Sequence, residues 1–150
     1  DKECTCTPET ISRYMGKISG PLLDRIDIQV EVTPVKYQKL ESNERVETSE
    51  EIKQRVNKAR KIQVERYREY GIFSNSELTP HLSNIYCKLD FKSKEIVQNA
   101  FDKLGLSARG YGRILKVART IADLEEAENV ETRHIAEAIQ YRSLDRKYWK

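Results

Sequence analysis

The sequence has few of the residues that mark membrane proteins, disulfide-rich proteins or flexible linkers. Among its 150 residues are six glycines, four prolines, three cysteines, one methionine and one tryptophan. No apolar run approaches the roughly 20 residues that cross a bilayer as a helix, so we expect no membrane partner. Hydrophobic residues make up 38% and charged residues 34% of the chain. This balance is typical of a helical, surface-rich chain with one domain, or one small domain and part of another.

The cysteines and the net charge narrow the possible classes of partner. Cys4, Cys6 and Cys87 are odd in number, which favours a reducing, cytoplasmic compartment over a disulfide framework. Cys4-x-Cys6 is either half of a four-ligand zinc site or two ordinary thiols; we favour the thiols and predict no metal. A net charge of +3 predicts neither strong nucleic-acid binding nor its absence. The chain begins with Asp1 rather than Met, which predicts a segment excised from a longer protein.

Capping residues and apolar periodicity predict mainly helices. Thr7-Pro8, Thr79-Pro80 and Ser107 are typical helix starts, and Thr48 with Glu51 forms a capping box. The predicted helices lie at about 8–15, 49–70, 93–104, 107–127 and 132–142, with a short one after Thr79-Pro80 and with Thr132 as the last cap. On the helix 49–70, one apolar face is expected to hold Ile52, Val56, Ala59 and Tyr70.

One segment alternates like a strand. Residues 26–32, Ile-Asp-Ile-Gln-Val-Glu-Val, are strictly alternating and rich in β-branched side chains. A single strand cannot satisfy its own backbone, so we expect this orphan strand to pair with a sheet outside this chain or with another copy.

Basic residues are the main candidates for chemistry. Seven of them surround the helix 49–70, which favours a solvated face over a nucleic-acid groove. Arg109, Arg113 and Lys116 lie together in the first turns of the helix that Ser107 caps. A helix N-terminus favours anions, so Arg109 is a candidate phosphate contact, with an ordinary basic surface as the alternative. Arg25, beside the predicted strand, either serves a site or forms an ion pair with Asp24 or Asp27.

Other catalytic arrangements are not visible in the sequence. His81 and His134 are isolated, and no nucleophile, base and carboxylate fall into a triad pattern. The sequence also has no G-x-x-x-x-G-K-[ST] loop, so we expect this chain by itself to hold no ATP and to be catalytically inactive.

Long ordered motifs resemble one family of ATPases. Two groups of segments carry the resemblance: Cys4-Thr-Cys-Thr-Pro8 with Ile18-Ser-Gly-Pro-Leu-Leu-Asp-Arg-Ile-Asp-Ile28, and Leu106-Ser-Ala-Arg-Gly-Tyr-Gly-Arg-Ile-Leu115 with Val117-Ala-Arg-Thr-Ile-Ala-Asp-Leu124 and His134-Ile-Ala-Glu-Ala-Ile-Gln-Tyr-Arg142. They resemble the C-terminal part of magnesium-chelatase-like AAA+ ATPases of the competence (ComM/YifB) family. The Cys-Pro-Cys-Gly pair that usually precedes Cys4 in that family is absent here.

The resemblance implies a fold and a set of roles. It implies a mainly α fold, an AAA+ C-terminal helical lid of four to five helices preceded by a fragment of the α/β ATPase core with one orphan strand. Residues 1–34 would be the core fragment, 35–47 a linker and 48–150 the lid. Arg25 would be the arginine finger and Arg109 the sensor 2 arginine, with Arg113 beside it at the nucleotide. The resemblance also implies ATP and Mg²⁺ in the full-length protein, and neighbouring copies in a hexameric ring.

The resemblance leaves the task of the motor open. ComM-type relatives imply a DNA-remodelling motor that acts in branch migration during natural transformation, so DNA is an expected partner of the full-length protein. A metal-chelatase motor subunit is the alternative within the fold. A stand-alone helical nucleic-acid-binding module is the alternative outside it.

Overall fold

The computed structural model describes residues 5–32, 34–35 and 45–142. Seven α-helices lie in these ranges: α1 (Pro8–Met15), α2 (Gly20–Leu23), α3 (Ser49–Arg66), α4 (Pro80–Tyr86), α5 (Phe91–Leu104), α6 (Ala108–Leu124) and α7 (Thr132–Gln140). Short 3₁₀ turns at Arg68–Tyr70 and Asn75–Glu77 connect α3 to α4. The mainly helical fold is confirmed. Most of the predicted linker, residues 35–47, lies outside the described residues, as do Cys4 and residues 143–150.

The predicted helix starts are mostly correct, because the capping side chains form the expected bonds. The Glu51 N–H donates to Thr48 Oγ1 and the Thr48 N–H donates to Glu51 Oε2, which completes the capping box. Thr7, Thr79 and Ser107 also cap their helices, each by accepting one backbone N–H of the first turn at its hydroxyl oxygen. Gly71 and Gly105 follow helical segments with φ of 65° and 59°, a conformation that glycine adopts without strain.

Two predicted boundaries are wrong because side chains outside the apolar pattern decide them. Helix α5 begins at Phe91 rather than Ser93, since the Asp90 carboxylate accepts the Ser93 N–H at 2.7 Å. Helix α7 is capped by Glu131 rather than Thr132. There the fully buried ring of His134 accepts the Glu131 N–H at Nδ1, while Nε2 lies 3.1 Å from Glu125 Oε2. The isolated histidine therefore has a structural role.

The predicted orphan strand does not form within the described residues, so its pairing with a sheet outside this chain stays a prediction. Residues 26–32 form no strand there, because a strand needs a partner strand for its backbone groups and the described ranges offer none. This segment lies instead against the C-terminal end of α7, where the Gln29 N–H donates to Tyr141 O at 2.9 Å. Alternating apolar residues suit a strand with one face buried in a sheet, but the described residues contain no sheet for this segment to join.

Helix α6 is the centre of the bundle. It contacts α3, α4 and α7, while α5 packs on α7. Its apolar face includes Ile114, Leu115 and Ala118, which are buried. Ala118 on α6 and Ala138 on α7 are both fully buried, and such small side chains allow the two helices to approach closely.

The predicted apolar face of α3 is only partly correct. Ala59 is buried, but Ile52, Val56 and Tyr70 are each more than 40% exposed. Gln63 and Tyr67 occupy the buried side instead. No helix in the described ranges combines the length and apolarity required to cross a bilayer.

A buried carboxylate joins the helices of this bundle. Asp123 on α6 is fully buried and accepts Arg66 of α3 at both oxygens, at 2.5 and 3.1 Å. Arg119 Nε also donates to Asp123, at 3.1 Å, and the Asn75 amide donates to it at 2.8 Å. Burial lowers the pKa of Arg119, but an arginine keeps its charge at neutral pH. The Asp123 carboxylate thus balances one buried cation, Arg119, and one half-buried cation, Arg66.

Replacing Asp123 by alanine should destabilise the bundle strongly. The change leaves buried Arg119 and half-buried Arg66 without their anion, and breaking a buried pair typically costs about 3–5 kcal/mol. Urea unfolding followed by circular dichroism measures the loss. Glu65→Ala is the matched control, since it removes only an exposed ion pair with Arg68 and should change stability by less than about 0.5 kcal/mol. Equal losses in the two variants would contradict the role of Asp123.

Cys87 should resist alkylation until the bundle unfolds. Its side chain is 3% exposed, and burial raises the pKa of the thiol to about 11. At a pH of about 8, roughly one thiol in 10³ is ionised, and only the thiolate reacts. Iodoacetamide labelling followed by peptide mass spectrometry should find exposed Cys6 modified first. Equally rapid labelling of Cys87 in the folded chain would refute this placement.

Candidate functional site

The N-terminal end of α6 is the best-formed candidate site. Ser107 caps the helix by accepting the Gly110 N–H at Oγ, at 3.0 Å. The first amides of a helix have no acceptor within it, and the helix dipole is positive at this end. Since α6 is 17 residues long, this end presents a fixed positive field to an anion.

The three basic residues in the N-terminal half of α6, Arg109, Arg113 and Lys116, differ in their surroundings. Arg113 forms an ion pair with Asp27. Lys116 Nζ donates to the carbonyl oxygen of Ser76 at 2.7 Å. Arg109 is exposed, and within the described residues it makes no ion pair or side-chain hydrogen bond. Among the described residues, Arg113 and Lys116 thus have partners, while Arg109 is available to a ligand.

A groove runs along α6 beside these cations. Its volume is about 920 Å³, and Arg109, Arg113 and Lys116 line one part of it. Apolar side chains line much of the rest, among them Ile28, Leu115 and Ile121. Gly112 also lines it, and an added Cβ there would meet nothing within 4 Å. A groove with an apolar wall and a cationic end fits a ligand that has both an apolar part and an anionic part.

The segment around Arg25 is attached to this same end of α6. Asp24 Oδ2 accepts the hydroxyl of Ser107, the N-cap residue of α6, at 2.9 Å. Asp24 Oδ1 lies 3.4 Å from Nη2 of Arg142, just beyond α7. Arg142 Nη1 also donates to the carbonyl oxygen of Ile26, at 2.6 Å. With the Asp27–Arg113 pair, these bonds connect residues 24–27 to both α6 and α7.

Arg25 itself is exposed in the midst of these contacts. The alternative role for Arg25, an ion pair with Asp24 or Asp27, is not realised in the described residues, because those carboxylates bind Arg142 and Arg113. Its backbone N–H donates to Leu22 O at 3.0 Å, which places it in the turn after α2. Arg25 and Arg109 therefore project from two segments that the Asp24–Ser107 bond holds together.

Periodicity did not identify Arg142 as part of this site. Its side chain is 1% exposed, although arginine is rarely buried. The sequence signal was weak, since Arg142 follows the last apolar residues of α7 and looks like an ordinary basic helix end. Arg119 had a clearer signal, because Asp123 stands four residues later on the same helix.

Metal-binding clusters do not arise from the described residues. No group of three or more His, Cys, Asp or Glu side chains gathers there. His134 is occupied as a helix cap and His81 is exposed. Cys87 is buried and belongs to the apolar core.

Two family models and several curated proteins match the chain. A family model described as magnesium chelatase, subunit ChlI C-terminal, matches residues 46–142, and one described as magnesium chelatase, subunit ChlI, matches residues 1–40. The chain is 40% identical over 141 residues to the competence protein ComM of Haemophilus influenzae. It is 38% identical over 143 residues to the uncharacterized protein YifB of Escherichia coli.

These relatives are much longer than the chain. The alignments cover 93% and 94% of this chain but 27% of each of those two relatives. An uncharacterized protein of Mycobacterium tuberculosis is 32% identical over 141 residues, and the alignment covers 28% of that protein. The C-terminal model alone matches well over half of the chain, including the whole of α3 to α7. The chain belongs to the magnesium chelatase family, and residues 46–142 are its ChlI C-terminal domain.

Proposed function

We propose that this chain is the C-terminal part of an AAA+ ATPase and supplies two arginines to ATP hydrolysis. Arg25 is the arginine finger and Arg109 the sensor 2 arginine, with Arg113 beside it. The observation that carries the proposal is that both Arg25 and Arg109 are exposed and lie next to the Asp24–Ser107 bond. Cations that are held in place but not neutralised are what a phosphoryl-transfer site requires.

The residues present fit one side of an ATP site. Arg109 at the N-terminus of α6 suits a phosphate oxygen, and the apolar wall of the groove suits the rest of a nucleotide. The sequence has no phosphate-binding loop, so the phosphates and Mg²⁺ would be held mainly by residues outside this chain. ATP supplies the phosphoryl group, and Arg25 and Arg109 stabilise the negative charge that develops on it.

The proposal also assigns the parts of the chain and their setting. Residues 1–34 belong to the end of the ATPase core, 35–47 to a linker and 48–150 to the helical lid. The full-length protein assembles as a hexameric ring in the cytoplasm, and Arg25 reaches the nucleotide of a neighbouring copy. Family membership and the exposed position of Arg25 support this arrangement.

We propose DNA as the material on which the motor acts. The proposal is supported by the similarity to the competence protein ComM. That similarity, at 40% identity, extends over both regions that the family models match. A metal-chelatase motor is the second candidate, favoured by the names of the family models. ATP hydrolysis by the full-length protein, measured with and without branched DNA, separates them. Stimulation by DNA supports the first candidate, and indifference to DNA favours the second.

Arg25→Ala and Arg109→Ala should each remove most ATP hydrolysis in the full-length protein. Loss of an arginine that stabilises the transition state costs on the order of 10³–10⁵ in rate. Arg25→Ala should leave nucleotide affinity nearly unchanged, because a finger contacts charge that develops mainly in the transition state. Arg109→Ala should also weaken binding. Steady-state ATPase assays together with binding of a fluorescent ATP analogue measure both effects.

Two comparisons make this test specific. Arg113→Ala should be milder than Arg109→Ala, since Arg113 is paired with Asp27, and Arg133→Ala, on an exposed part of α7, should have no effect. Mixing Arg25→Ala subunits with subunits defective in the phosphate-binding loop should restore some activity, because finger and nucleotide then belong to neighbouring copies. Near-normal hydrolysis by Arg25→Ala alone would refute the finger assignment.

A further inference from the structure

Arg142 has surroundings that its sequence position does not explain. Its side chain is 1% exposed at the end of α7, where an arginine normally extends into solvent. Its two terminal nitrogens point to a segment more than 100 residues earlier in the chain: Nη1 binds Ile26 O at 2.6 Å and Nη2 binds Asp24 Oδ1 at 3.4 Å. Burying a guanidinium is costly unless it is hydrogen-bonded, so these contacts define its position.

The residues that Arg142 binds are the neighbours of Arg25. Asp24 precedes Arg25 and Ile26 follows it, so the guanidinium binds the side chain of the residue before Arg25 and the backbone carbonyl of the residue after it. Asp24 also accepts the Ser107 hydroxyl, which caps the helix that carries Arg109. Tyr141, next to Arg142, accepts the Gln29 N–H and extends the contact along the segment.

We propose that Arg142 is a positioning residue that holds Arg25 in register with Arg109. The effect of Arg142 on ATP hydrolysis rests on the proposed function, whereas its role in holding residues 24–27 rests on the contacts alone. Arg142 does not touch substrate in this proposal. It acts through Asp24 and the Ile26 carbonyl, so that the finger and the sensor 2 helix move as one unit.

A small displacement at this point is sufficient to matter. Misplacement of a catalytic group by about 1 Å can reduce a rate on the order of 10²-fold. Without Arg142, Asp24 keeps the Ser107 hydroxyl as its side-chain partner among the described residues, and the Ile26 carbonyl loses a charged donor. The segment around Arg25 would then be held by that bond, by the Gln29–Tyr141 backbone bond and by the exposed Asp27–Arg113 pair, which contributes little.

Hydrogen exchange in this 150-residue chain tests the structural part. In Arg142→Met we expect the Gln29 amide to exchange faster by about tenfold or more, while amides in the middle of α6 stay as protected as in the wild type. Asp24→Asn, which keeps the size of the side chain, should give a smaller change in the same direction. Arg133→Met is the matched control, since that arginine lies on α7 and its partners among the described residues are Glu125 and Glu131.

The exchange pattern separates positioning from general support. If the Gln29 amide is unaffected, Arg142 does not hold the segment and the proposal fails. If amides in α6 are released together with Gln29, Arg142 merely stabilises the bundle and the proposal also fails. Release confined to residues 24–29 supports it.

ATP hydrolysis by the full-length protein tests the functional part. Arg142→Met should lower kcat on the order of 10²-fold with little change in KM for ATP, since the finger acts on the transition state. The double variant Arg25→Ala/Arg142→Met should be no slower than Arg25→Ala, because Arg142 acts only through Arg25. Multiplied losses would overturn the positioning role. If Arg25→Ala itself hydrolyses ATP normally, the proposed function fails, while the exchange result still decides whether Arg142 holds the segment.

Discussion

The rest of the bundle depends on the buried carboxylate of Asp123. It balances Arg66 from α3 and Arg119 from its own helix, and it accepts Asn75 from the connection between α3 and α4. Arg119 extends the network, because it also donates to the carbonyl oxygens of Ala127 and Glu128 in the turn that leads to α7. A charge network of this kind is satisfied in one arrangement of the helices, so it favours that arrangement over others of similar hydrophobic burial.

This network and the candidate site lie at opposite ends of one helix. Asp123 is near the C-terminal end of α6 and Arg109 is in its first turn, about 20 Å away at 1.5 Å per residue. Packing of Ile114, Ala118 and Ala122 against the neighbouring helices immobilises the length between them. The position of Arg109 in the groove is therefore set by interactions that involve no ligand.

The ends of α6 and α7 are joined through the segment that carries Arg25. Asp24 contacts both, through Ser107 on one side and Arg142 on the other. Two exposed arginines from distant parts of the sequence thus lie on segments that the Asp24–Ser107 bond joins, and Arg109 lines the groove. Family membership accounts for the shared motifs, while the task of the whole protein depends on the much larger part of the relatives that this chain does not include.

The sequence by itself determined the helices and the candidate arginines, because the information is local. Capping by Thr48 and Ser107 and the breaks at Gly71 and Gly105 act over three or four residues, and the motifs around Arg25 and Arg109 are continuous. Only the tertiary structure decided the partners of Asp123, His134 and Arg142 and the conformation of residues 26–32. The sequence does not show whether the carboxylate that an arginine binds is exposed or buried. An alternating segment becomes a strand only where another strand forms hydrogen bonds with its backbone.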